Sequence, residues 1–123
     1  VPKAQVVKRG EAICEKAKEE QLAGFGRFQQ SGYEPKSHAE LMERAVRAVA
    51  LPPVKIAVKE LAALPQPSSD AERFAAVVAA FEEALPKAEA DPVGVAAKAK
   101  GDPFQAANRL AGEYGMKTCA AMA

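Results

Sequence analysis

Apolar residues recur at three- and four-residue steps through most of the chain, the period of helices that bury one face. From Pro2 to Gln30, Val6, Val7, Ile13, Cys14, Ala17, Leu22, Phe25 and Phe28 form such a stripe, with Lys8, Glu15, Lys18 and Glu19 between them. The spacing predicts a first helix over this segment, with Pro2 in its first turn and Ser31-Gly32 followed by Glu34-Pro35 as its exit loop. Gly10, Gly24 and Gly26 each cost about 1 kcal/mol relative to alanine, so a bend or frayed end is expected near Gly24 to Gly26.

A capping box, Ser37-His38-Ala39-Glu40, starts the second helix. Its apolar face runs through Leu41, Met42, Ala45, Val46 and Val49, then resumes at Val54, Val58, Leu61 and Leu64. Pro52 and Pro53 lie between the two halves and cannot donate to Ala48 and Val49, which predicts one helix kinked or broken there. After Pro65 and Pro67, Ser69-Asp70-Ala71-Glu72 reads as a second capping box. The third helix that follows carries Phe74, Val77, Val78, Phe81 and Leu85 on one face, and Pro86 is the expected stop or bend. Asp91-Pro92 opens a short helical turn reaching toward Gly101. Asp102-Pro103 then opens a fourth main helix with Phe104, Ala107, Leu110, Ala111 and Tyr114 inward and Gly115 as its left-handed stop. Met116 to Ala123 forms a tail carrying Cys119. The predicted fold is all-α, an up-down four-helix bundle, and the 123 residues form a single domain with one core.

Charge narrows the function classes. Seventeen Lys and Arg stand against sixteen Asp and Glu and are interleaved, so the one-sign basic face that nucleic acid requires is missing. Only Gln66 to Pro92 is lopsided, with Asp70, Glu72, Glu82, Glu83, Glu89 and Asp91 against Arg73 and Lys87, and reads as a solvated acidic face or a patch for a partner. No apolar run approaches the eighteen or so residues of a membrane span. The sequence begins at Val1 without a visible signal peptide, so any export signal or lipid-bearing cysteine is expected to have been removed or left out, and its absence decides nothing.

Two cysteines, Cys14 and Cys119, admit one intramolecular pairing, and an up-down bundle brings the early first helix close to the late fourth. Such a bridge belongs to an oxidising compartment; two buried reduced thiols are the cytosolic alternative. The same region offers soft ligands, since Met116, Cys119 and Met122 recur every three residues and Cys14 could join them around monovalent copper. A disulfide would consume both thiols.

Catalytic patterns are sparse. His38 is the sole histidine, too little for a zinc site or a triad, and the adjacent Ser37 is already engaged as a cap. Glu19-Glu20 and Glu82-Glu83 are helix neighbours whose side chains diverge by about 100°. Gly24-Phe25-Gly26-Arg27 lacks the preceding strand and the following Lys-Ser/Thr of a phosphate loop. No catalytic residue, metal or cofactor is therefore expected. Helix bundles do build ligand sites in their cores, and Phe25, Phe28, Phe74, Phe81 and Phe104 could line a cavity for a small apolar ligand or fill a dry core.

The closing residues Asp102-Pro103-Phe104, Asn108-Arg109-Leu110-Ala111, Tyr114-Gly115-Met116 and Cys119 resemble the C-terminal signature of a group of small secreted or lipid-anchored helical proteins from actinobacteria. In that group an early cysteine helix, here Ala12-Ile13-Cys14, accompanies a proline-interrupted middle helix, here Leu51-Pro52-Pro53 to Leu64-Pro65. The resemblance implies an extracytoplasmic address, secreted or anchored to the cell envelope, and a Cys14–Cys119 bridge. It brings no activity. The expected function is a non-catalytic module that binds an unidentified partner or ligand, or carries a small apolar ligand.

Overall fold

In a computed structural model of the chain, which describes residues 1–97 and 101–122, every regular element is helical. Helix α1 spans Lys3–Gln30, α2 His38–Arg44, α3 Leu51–Ala62, α4 Ala71–Ala90, α5 Pro92–Ala97 and α6 Gln105–Tyr114. A π-helical stretch, Ala45–Ala50, joins α2 to α3, and a 3-10 turn, Cys119–Ala121, lies in the tail. The turn predicted from Asp91 toward Gly101 is helical to Ala97; residues 98–100 and the final Ala123 lie outside the described residues.

The architecture is the up-down bundle, with α1 packed on α3, α3 on α4 and α4 on α6. The C-terminal region reaches α1 through the tail after Gly115, which packs on both α6 and α1. Gly115 has φ 105°, a conformation natural to glycine, and lets the Met116 N–H turn back to the Ala111 carbonyl at 2.9 Å. Met116, Cys119 and Met122 are all buried, so the tail is part of the core. Gly10 makes room for it: a Cβ there would stand 2.7 Å from Met116 Sδ.

Helix α1 runs through Gly24 and Gly26 without interruption. Its buried positions are Val6, Gly10, Cys14 and Ala17, whereas Leu22 is 72% exposed. Eight residues after Cys14, Leu22 stands about 80° round the helix from it, off the buried line.

Pro52 and Pro53 do not break the second helix. The turn before them widens, and Leu51 N–H bonds the Val46 carbonyl five residues back instead of four. The wider turn relieves the crowding of proline rings against preceding carbonyls, so the apolar face continues across the join. Pro86 likewise lies inside α4, which continues to Ala90. Both Pro86 and Glu82, whose carbonyl it cannot serve, face solvent, where water supplies the missing donor.

Two caps differ in outcome. Ser37 Oγ accepts from Glu40 N–H at 3.1 Å, as the capping box requires, while the Glu40 carboxylate accepts from Lys36 N–H and from the Tyr33 hydroxyl. The second box does not form. Asp70 becomes the N-cap of α4 in a left-handed conformation (φ 56°), and its carboxylate turns away to Lys3 Nζ at 2.9 Å and Arg73 at 3.7 Å. With Asp70 in the N-cap position, Ser69 lies one residue outside the helix and Glu72 is no longer its third residue, so neither half of the box can form. Asp102 also differs: its side chain accepts from Phe104 N–H, and α6 starts after that turn.

Hydrogen bonding to Lys3, then its charge, lowers the Asp70 carboxyl below its ordinary 3.8. The stability this contributes is full above the unfolded value and is lost as pH falls through the lower folded one. Asp70→Asn is expected to flatten that part of the acid limb when urea midpoints are followed from pH 6 to pH 2. An acid limb identical to that of the parent chain would contradict the assignment.

Candidate functional site

Cys14 and Cys119 are joined by a disulfide across 105 positions of sequence, with Cα atoms 5.1 Å apart. Both are fully buried. The bond occupies the two thiols of the copper arrangement and leaves only the thioethers of Met116 and Met122 there, which is no metal-binding set. Among the described residues no group of three or more His, Cys, Asp or Glu side chains could hold a metal ion.

The five phenylalanines do not converge on one place. Phe74 lies against Tyr114 with ring centroids 5.7 Å apart, and Phe81 against Phe104 at 6.3 Å; all four are buried in the core between α4 and α6. Phe28, half-buried, stacks at 5.5 Å on Tyr33, whose ring also carries the Arg44 guanidinium at 5.0 Å. The Tyr33 hydroxyl donates to Glu40 Oε1 at 2.6 Å, which raises the phenol and lowers the carboxyl from their ordinary values. These contacts fix the corner between α1 and α2. Phe25 is 39% exposed and faces a different feature.

That feature is a hollow of about 430 Å³, partly open to solvent and bordered by α1, α2, the π turn, α3, α5 and the tail. Its deepest lining residues are Val46, Leu51, Val54, Val95 and Met122, all buried. Leu41, Met42, Ala45 and Ala96 form half-buried walls, and Phe25, His38 and Ala121 mark an exposed rim. The π turn contributes directly, because Ala45, Val46 and Ala50 all line the space. A second, shallower groove of about 310 Å³ lies between α1 and α3, where Ile13, Ala17, Val49 and Ile56 alternate with Lys16, Glu20 and Glu60.

Gln21 holds the hollow together. Its amide nitrogen donates to the Ala50 carbonyl at 2.9 Å, where the π turn meets α3, and to the Met122 carbonyl at 3.0 Å in the tail. One side chain on α1 thus ties two separate walls. Gln21 follows Ala17 by four positions and so continues the buried line of α1; a polar residue on an apolar stripe was the available signal. The tail is held further upstream by Glu11, whose carboxylate accepts from Thr118 N–H at 2.9 and 3.0 Å. Gln21→Met preserves length and removes both donors. It is expected to cost about 1–2 kcal/mol by urea unfolding, with faster amide exchange in residues 119–122; unchanged exchange there would contradict the tie.

His38 is exposed at the start of α2, and the Glu19-Glu20 and Glu82-Glu83 pairs face solvent. Half of the acidic segment's carboxylates are paired on the surface: Asp70 with Lys3, Glu83 with Lys87 at 3.2 Å, and Glu89 with Lys55 at 2.9 Å. Gly24 to Arg27 lies inside α1. No described helix is long and apolar enough to cross a membrane. No family model, curated protein or solved structure matches the chain.

Proposed function

We propose that this chain is a non-catalytic extracytoplasmic module that binds a small apolar ligand in the hollow between α1, the π turn and the tail. The observation that carries this reading is the lining: of the fourteen described side chains around the hollow, His38 alone is ionisable, and it is exposed. A space of this size with apolar walls and few polar groups has the character of a small-molecule site. Its position also revises the sequence expectation, since the space lies to one side of the phenylalanine core and only Phe25 of the five lines it.

An extracytoplasmic address is supported by the buried disulfide, which persists in oxidising compartments. The resemblance to small secreted or lipid-anchored actinobacterial proteins points to the same address. The binding reading is tested by native mass spectrometry of the disulfide-intact chain, alone and with a panel of apolar compounds. Stoichiometric adducts abolished by filling the hollow support it; a panel without any adduct overturns it. Thiol counting in denaturant tests the address, and two free thiols in exported protein would overturn that part.

A further inference from the structure

Resting on that reading, we infer that the hollow takes one flexible acyl chain, as in a fatty acid or its monoester, with the chain end on the Val46–Val95–Met122 floor and the polar head at His38. Three observations define this ligand class.

The first is the gradient of exposure. The lining runs from buried residues through half-buried ones to the exposed Phe25, His38 and Ala121, so the hollow has a dry part and a part in contact with water. A molecule with one apolar end and one polar end matches that gradient.

The second is the placement of polar groups. Both amide hydrogens of Gln21 are already directed to the Ala50 and Met122 carbonyls, which leaves the interior without a free amide donor from that side chain. Among the described residues no Lys, Arg, Asp or Glu lines the hollow. A carboxylate head buried there would meet neither a cation nor a free side-chain amide donor among the described residues. At the rim, His38 supplies ring nitrogens that can donate or accept, in contact with water.

The third is the character and size of the walls. Apart from Gln21 they are aliphatic and thioether, with methionines at positions 42 and 122, and the two rings of the described lining, Phe25 and His38, are exposed. Flexible walls without stacking faces suit a chain that bends to fit. With about 30 Å³ per methylene-sized group, the volume a water takes in the liquid, 430 Å³ accommodates roughly 14 carbons. That is the size of one such chain.

The test is calorimetric titration of the disulfide-intact chain with saturated fatty acids of 8 to 18 carbons below their micelle concentrations, and with anthracene as a rigid apolar probe. Affinity is expected to rise about fourfold per methylene, then level off near 14 carbons. Ala96→Leu and Ala45→Leu each narrow the hollow from a different element and are expected to weaken binding about tenfold and move the plateau to shorter chains. Helicity and an intact disulfide check their folding, and either variant alone suffices. Ile56→Ser, in the groove between α1 and α3, is expected to leave the titration unchanged.

Anthracene binding that Ala96→Leu abolishes, with no acid bound, would overturn the acyl-chain assignment and leave the apolar-ligand reading standing. Acid binding that only Ile56→Ser weakens would overturn the location. Binding of neither probe type would overturn both this inference and the reading on which it rests.

Discussion

Removing the disulfide with Cys14→Ala and Cys119→Ala together is expected to lower stability by about 4–5 kcal/mol. The bridge closes a loop of about a hundred residues in the unfolded chain, and loop-closure entropy gives that magnitude. Domains of this size are stable by about 5–15 kcal/mol, so roughly a quarter or more of the total is at stake, a drop on the order of 15 °C in Tm. Replacing both residues avoids an unpaired reactive thiol in the core. Thermal unfolding followed by circular dichroism, with and without reductant, measures the effect; a shift under 3 °C in both would contradict it. The tail is expected to loosen first. It is anchored to α1 by the disulfide, the Glu11–Thr118 bonds and the Gln21–Met122 bond, and the disulfide is the only covalent one. Loss of the bridge therefore also opens one wall of the hollow, and ligand binding is expected to weaken along with stability.

Phe81→Ala is expected to cost about 3–5 kcal/mol. Its ring is fully buried on α4 against Phe104, and truncation leaves a cavity that close-packed neighbours fill only in part. Phe25→Ala provides the contrast. With 39% of its surface exposed and its ring on the rim, its loss is expected to cost under about 1 kcal/mol while weakening ligand binding. Urea unfolding of the two variants separates core from rim; equal losses would show that the five phenylalanines form one core after all.

The pairing of residues near in sequence was readable in advance because its energetics are local. The Ser37 cap, the Gly115 stop and the inward face of α4 each follow from a few adjacent residues and a helical period. Where a residue had to choose between local and distant partners, the local reading failed. The second box needs Ser69 at the cap, but α4 starts one residue later, behind an Asp70 whose carboxylate pairs with Lys3 sixty-seven positions away. Leu22 fits a three- and four-residue count but falls off the line that starts at Cys14, since small angular errors accumulate over two turns.

Sequence alone determined that this protein is an all-helical bundle, that its middle helix must accommodate two prolines, and that two cysteines lie where the ends of such a bundle approach. Periodicity, missing backbone donors and chain connectivity act at short range or through topology, and each leaves a mark in the residue string. Tertiary structure alone decided that the prolines are absorbed by a π turn, that the tail belongs to the core, and that these two features with Gln21 border a space beside the phenylalanines. A cavity is a failure of several elements to meet. It depends on how far apart they are held, and no single segment records that distance.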